Sequence, residues 1–177
     1  AILGGRWGLL RGTAPSYEQD TPVARWPWLL AAPFLALYLS HAMAPEISPD
    51  GTAYHLGLVA RYYRERGFGA ITTNMYANLS QGMEMLFLFA WPFGRHSAGA
   101  LVHLNFLIAL AALIAAYGRR YGIAAAGQGA AIAVFATPVI GVDAASAYND
   151  VAVAAILFGL FYMVRQWDER RTHGLAA

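Results

Sequence analysis

Residues 98–117 read AGALVHLNFLIALAALIAAY, a run without a single Asp, Glu, Lys or Arg. An α-helix rises about 1.5 Å per residue, so a run of this length can cross the ~30 Å hydrocarbon core of a bilayer. Three further apolar stretches lie at residues 28–44, 123–142 and 146–164. The sequence therefore predicts an all-α integral membrane protein with four transmembrane helices.

The composition supports a membrane setting. Hydrophobic residues make up 58% of the chain and charged residues 12%, and the mean hydropathy is +0.43. A soluble domain carries roughly 25% charged residues. The chain has no Lys and no Cys, and its 12 Arg stand mostly at the ends of apolar segments. This distribution indicates topology signals rather than a surface for nucleic acid, and the absence of Cys excludes disulfides.

The arginines predict which side of the membrane each segment occupies. With four alternating spans, one side holds eight arginines and four acids, and the other holds four arginines and six acids. Because basic residues concentrate on the cytoplasmic side, both termini are predicted to be cytoplasmic in an inner membrane. This assigns an arm at residues 1–27, a helical module at 28–167 and a tail at 168–177. The arginines on the cytoplasmic side are Arg6, Arg11, Arg25, Arg119, Arg120, Arg165, Arg170 and Arg171.

The longest outer loop, residues 45–97, carries patterns of its own. Tyr54, Leu58 and Tyr62 recur at helical spacing, which predicts an amphipathic helix in the headgroup layer that ends near Gly67. The apolar run 83–91 is too short to cross a bilayer. We therefore expect two interfacial helices in this loop.

Between the first apolar stretch and the first of these helices stands ISPDGTAYH, residues 47–55. Pro49 and Gly51 flank Asp50 where the chain leaves the bilayer. A carboxylate fixed at that surface can meet both a lipid-linked substrate and a water-soluble one.

Several short motifs together resemble the amino-terminal part of bacterial membrane glycosyltransferases of the GT-C superfamily. The most similar group is the dolichyl-phosphate-mannose protein mannosyltransferase-like one, glycosyltransferase family 39. The resemblance covers roughly residues 28–167. Its motifs are PDGTAYHL at 49–56, NMYANLSQGMEML at 74–86, LVHL at 101–104 and AYNDVA at 147–152.

The resemblance implies a function for Asp50. It would be the catalytic general base on an acceptor hydroxyl, while a polyprenyl phosphate leaves the sugar with inversion of the anomeric carbon. The bilayer and a polyprenyl-phosphate sugar are the implied partners. Because such enzymes have more spans, we expect these 177 residues to be only part of a catalytic unit.

Two further acids are candidate substrate contacts. Glu84 lies in an apolar run, where a charge is costly unless it faces protein or a water-filled cavity. It could contact substrate or a metal, or hydrogen-bond a neighbouring helix. Asp150 begins the last span, where a carboxylate either caps the helix or belongs to the site. Asp143, by contrast, is expected to be a solvated loop residue.

Arg61 and Arg64 could bind the donor phosphate or lipid headgroups. His55 could share the Asp50 site or bind a metal. No zinc-like ligand spacing occurs, so the sequence identifies no metal site; it requires no cofactor and leaves a divalent metal open.

A second reading from a different class is a non-catalytic transmembrane subunit that packs against a larger membrane complex, such as a pigment-binding or respiratory one. Its candidate tetrapyrrole ligands are His41 and His103. The alternative for each histidine is a hydrogen bond to a neighbouring helix.

Overall fold

A computed structural model describes residues 24–174, and within that range all regular structure is helical. The predicted arm therefore lies outside the described residues except for 24–27. Three short non-α turns accompany the α-helices, a 3₁₀ turn at Trp26–Ala31, a π turn at Gly51–His55 and a 3₁₀ turn at Met75–Asn78. The α-helices are α1 (Ala32–Met43), α2 (Leu56–Glu65), α3 (Gly82–Arg120), α4 (Ala124–Ala136), α5 (Pro138–Ala144) and α6 (Asp150–Gly174).

Two helices, α3 and α6, are long and apolar enough to cross a membrane. A third crossing is present if α4 and α5, which are bent by 67° relative to each other, count as one span. The first predicted span, 28–44, is divided between the Trp26–Ala31 turn and the 12-residue α1. Pro27 and Pro33 each stand at the start of one of these pieces, because proline tolerates a first helical turn but cannot continue a preceding helix.

The predicted span 123–142 is broken at Thr137, the residue before Pro138. Thr137 is extended (φ −75°, ψ 115°), since the proline ring disfavours a helical conformation in the residue before it. The break frees carbonyl groups at the end of α4, and the Tyr38 hydroxyl donates a hydrogen bond to one of them, the Phe135 oxygen, at 3.1 Å. The Tyr38 ring lies directly against Gly141, where a Cβ would overlap it.

The long helix α3 is also interrupted, at Gly94 and Arg95. Arg95 has a positive φ of 50°, and Pro92 lies just before the kink. The break separates a short helical segment at residues 82–93, called the 82–93 arm below, from the main part of α3. A short helix had been predicted for the apolar run 83–91. The main helix forms an antiparallel hairpin with α4, and Gly118 and Gly127 meet there so closely that a Cβ on Gly118 would be 2.6 Å from the Gly127 Cα. Small residues therefore let these two helices pack closely.

At the other end of the molecule the last helix begins at Asp150, four residues later than the predicted span 146–164, and continues to Gly174. The segment predicted as a tail is thus helical from 168 to 174. Helix α3 packs against all five other α-helices. Tyr38, Leu104 and Leu107 are among the side chains buried where α1, α3 and α4 meet.

Candidate functional site

Asp50 lies at the start of the π turn, with its side chain exposed and making no capping hydrogen bond. The π turn closes with a hydrogen bond from the Leu56 N–H to the Gly51 oxygen. Such wide turns are rare and occur often at functional sites. The carboxylate predicted to be catalytic is therefore accessible.

The loop that carries Asp50 is held in place by Glu46, a residue that was not predicted to belong to the site. Glu46 Oε1 accepts a hydrogen bond from the Ser48 N–H at 2.9 Å, and Oε2 accepts one from the Ala147 N–H at 3.1 Å. Burial alone would raise the pKa of Glu46, but these hydrogen bonds and the nearby His41 outweigh it, so the pKa lies below its usual value. The anion therefore ties the Asp50 loop to the segment before α6.

Gly51 is required in this loop by a close approach. The Ser48 hydroxyl accepts a hydrogen bond from the Gly51 N–H at 3.2 Å. A Cβ on Gly51 would lie 2.6 Å from the Ser48 Oγ and 2.7 Å from the Glu46 Cδ. Only glycine therefore fits beside Asp50 without displacing the two side chains that shape the turn.

His55 and Glu84 form a buried pair behind the loop. His55 Nδ1 is 2.6 Å from Glu84 Oε1, and each side chain is only 5% exposed. The pair joins the π turn to the first turn of α3. Both residues were predicted as substrate contacts. Because both side chains are buried and contact each other, they instead hold the loop in place.

Aromatic rings extend the site on the side of Tyr54. The Tyr54 ring stacks on Tyr76 with centroids 4.0 Å apart, and His55 lies between Tyr54 and Tyr148, with centroid distances of 4.4 Å and 5.8 Å. Burial raises the pKa of Tyr54, and the charge of Asp50 and a hydrogen bond between the two side chains raise it further. Tyr54 is therefore a neutral neighbour of Asp50 at physiological pH.

The tyrosines were not predicted as site residues. Tyr54 was read only as part of an amphipathic face, and no spacing signal connects it with Tyr76 or Tyr148. The Asn74 amide donates to the Ala53 carbonyl at 3.2 Å, which holds the segment containing Tyr76 against the π turn.

Asp143 is not the solvated loop residue that was predicted. It lies in α5, its side chain is 20% exposed, and its Oδ2 is buried without a hydrogen-bond partner. That oxygen is 4.0 Å from His103 Nε2. The prediction is wrong because it assumed a span that reached residue 142 without a bend, whereas the break at Thr137 turns α5 back toward the bundle.

Asp150 begins α6, as predicted, and is exposed. It is close enough to Asp143 for the two carboxylates to interact electrostatically, and Asp143 also interacts with His55. The structure thus brings Asp143 and Asp150 into one region with His55 and Glu84.

The two predicted phosphate ligands differ in their environment. Arg61 Nε donates to Glu65 Oε1 at 2.9 Å, one turn further along α2. Arg64 is exposed, and among the described residues it forms no ion pair or hydrogen bond. Arg64 is therefore the more available of the two for an anion.

The candidate tetrapyrrole ligands also differ. His103 is fully buried; its Nδ1–H donates to the Ser146 oxygen at 2.9 Å, and its Nε2 accepts from the Ala152 N–H at 3.3 Å. A metal could bind His103 only if one of these bonds were given up. His41 is exposed, with Nε2 3.5 Å from the Ser146 hydroxyl.

Within residues 24–174, no group of three or more His, Asp or Glu side chains is arranged to hold a metal ion. Comparison with protein-family models, with curated proteins and with solved structures finds no match to this chain.

Proposed function

We propose that this chain is the catalytic-loop module of a membrane glycosyltransferase that moves a sugar from a polyprenyl phosphate to an acceptor hydroxyl. The observation that carries the proposal is the setting of Asp50, an exposed carboxylate on a loop held at both ends. Glu46 fixes the loop before Asp50 through Ala147, and the His55–Glu84 pair fixes the turn after it. A base held in one place is what proton transfer from a bound hydroxyl requires.

The proposed reaction is a direct displacement at the anomeric carbon of the sugar. The Asp50 carboxylate accepts the proton of the acceptor hydroxyl as the oxygen attacks the anomeric carbon. The bond from that carbon to the phosphate oxygen breaks on the opposite face, its electron pair leaves with the polyprenyl phosphate, and the configuration inverts. Positioned proton transfer of this kind contributes typically ~10²- to 10⁴-fold to the rate.

Other residues of the site then bind and orient. Arg61 and Arg64 lie roughly 15–20 Å along the π turn and α2 from Asp50, so we assign them to lipid headgroups rather than to the departing phosphate. Asp150 can accept hydrogen bonds from sugar hydroxyls, and the stacked Tyr54 and Tyr76 form an apolar wall for a sugar ring. His55 and Glu84 position the loop.

The proposal includes a four-span topology. The Trp26–Ala31 turn at roughly 2.0 Å per residue and α1 at roughly 1.5 Å per residue together measure about 30 Å, the thickness of a hydrocarbon core. This length supports a first crossing, with α4 and α5 together as a bent third one. Helix α2 and the 82–93 arm would then be the two interfacial helices.

The distribution of charge supports the sidedness of this arrangement. Arg120 contacts Glu169 at 3.1 Å, so the ends of α3 and α6 that carry arginines lie together. The same topology leaves Asp50, Glu84 and Asp150 outside an inner membrane and both termini in the cytoplasm.

The class of donor is tested with native membranes that contain the full-length protein. Labelled sugar is offered either on polyprenyl phosphate or on a nucleoside diphosphate, and the anomeric configuration of the product is determined. We expect transfer from the lipid donor alone, with inversion. Transfer from the nucleotide donor, or retention of configuration, would contradict the proposal.

A further inference from the structure

An apolar groove of about 420 Å³ opens between the Trp26–Ala31 turn, α1, α3 and α4. It lies toward the end of the bundle that holds Arg120 and Glu169, away from the Asp50 loop. Alanines line much of it, because their short side chains leave space between α1 and α3. Among its other lining residues are Trp28, Leu35, Ile108, Phe135 and Arg119.

The dimensions of the groove fit one lipid chain. From Ile108 to Arg119 it follows α3 for roughly 16 Å, about half of a ~30 Å hydrocarbon core and hence one leaflet. A volume of about 420 Å³ spread over that length leaves a narrow channel that suits the width of one hydrocarbon chain.

Arg119 places a charge at the surface end of the groove. Among residues 24–169 its guanidinium has no hydrogen-bond or ion-pair partner, whereas Arg120 and Arg165 both lie within 4.0 Å of Glu169. Arg119 is therefore available to an anion that lies at the level of the headgroups.

We infer that the groove binds an anionic glycerophospholipid, with one acyl chain along α3 and the phosphate on Arg119. Guanidinium groups pair well with phosphate oxygens, and the cytoplasmic leaflet, where Arg119 is proposed to lie, is rich in anionic lipids. A polyprenyl phosphate shares this chemistry, but its chain is much longer than the groove. The site is separate from the Asp50 loop and does not depend on the reaction proposed for it.

Tryptophan quenching tests the site, because Trp28 lines the groove. The full chain is prepared with Trp28 as its single tryptophan and placed in phosphatidylcholine vesicles that contain brominated phosphatidylglycerol or, at the same fraction, brominated phosphatidylcholine. We expect about fivefold tighter quenching by the phosphatidylglycerol, since one basic residue near the surface contributes about that factor. The tryptophans replaced by Phe are Trp7, Trp26, Trp91 and Trp167.

Two pairs of variants separate the charge from the groove. Arg119→Gln should abolish the preference for phosphatidylglycerol, while Arg120→Gln, whose partner is Glu169, should keep it. Ala112→Phe fills the groove and should reduce quenching by both lipids. Ala109→Phe, at an exposed position of α3 that does not line the groove, should leave the quenching by both lipids unchanged.

Three results would overturn the inference. The first is equal quenching by the two lipids, or equal effects of Arg119→Gln and Arg120→Gln. The second is stronger displacement of the brominated lipid by polyprenyl phosphate than by unlabelled phosphatidylglycerol, which would assign the groove to the carrier lipid. The third is quenching that arises only after deletion of residues 1–23, which would show that this segment fills the groove.

The thermal stability of each variant is measured first, and Ala112→Leu replaces Ala112→Phe if the latter does not fold.

Discussion

The His55 imidazole and the Glu84 carboxylate meet at 2.6 Å, although 29 positions separate them in the sequence. Both side chains are almost completely removed from solvent. The contact attaches the turn after Asp50 to the first turn of α3, so the exposed Asp50 carboxylate has a buried support on one side.

Removal of one partner of this pair should be costly. His55→Phe or Glu84→Leu leaves the other buried polar group without its partner, and such losses are typically ~1–3 kcal/mol. We expect the double variant His55→Phe with Glu84→Leu to recover much of that loss, because it leaves no unpaired buried polar group. Thermal unfolding of the purified chain measures both effects, and single variants as stable as the wild type would show that the pair contributes little.

Gly141 should be intolerant of a methyl group. Gly141→Ala places a Cβ in the Tyr38 ring, and overpacking of this kind costs typically ~1–3 kcal/mol. Gly129→Ala is the matched control in α4, since nothing lies within 4 Å of its Cβ, and it should stabilise the helix by up to ~1 kcal/mol. Equal melting temperatures for the two variants would disprove the close packing of α1 against α5.

Glu46 predicts a pH dependence of stability. Its pKa in the folded chain is lowered from 4.5, so its anion stabilises the folded state above pH 4.5, and this contribution is lost as the pH falls toward the lowered value. The difference in unfolding free energy between wild type and Glu46→Gln should therefore shrink below pH 4.5. Glu65→Gln, on the exposed face of α2, serves as the control. If the difference in unfolding free energy between wild type and Glu46→Gln did not change with pH, Glu46 would not be a stabilising anion.

Asp143 and Asp150 should be energetically coupled. The carboxylate of Asp150 lies close enough to repel that of Asp143, so Asp143→Asn should raise the melting temperature, and the same substitution should have less effect once Asp150 is Asn. Contacting residues typically show coupling energies of ~0.5–3 kcal/mol. A double-mutant cycle with additive effects would place the two side chains too far apart to interact.

Part of this structure follows from local signals in the sequence. The uncharged run at residues 98–117 predicted a helix because it is long enough to cross a bilayer, and the helical spacing of Tyr54, Leu58 and Tyr62 predicted α2. The bend at Thr137 was missed because hydropathy is equally high on both sides of Pro138, although the proline itself was the available signal.

The site was less accessible to sequence reading. Asp50 was predicted because Pro49 and Gly51 flank it, Glu84 because it is a carboxylate in an apolar run, and His55 because it lies five residues after Asp50. Their contact with each other depends on the path of the loop between them, and no local spacing encodes it. The anchor from Glu46 to Ala147 joins segments 101 positions apart and has no sequence signal.

The most direct test of the account is the rate of sugar transfer by Asp50→Asn in the full-length protein, beside Glu65→Gln as a control for loss of an exposed carboxylate at the end of α2. The account predicts that Asp50→Asn keeps the melting temperature and the affinity for the polyprenyl-phosphate sugar while turnover falls by ~10²- to 10⁴-fold, and that Glu65→Gln behaves as wild type. Turnover by Asp50→Asn at the wild-type rate would contradict the central claim that Asp50 accepts the proton of the acceptor.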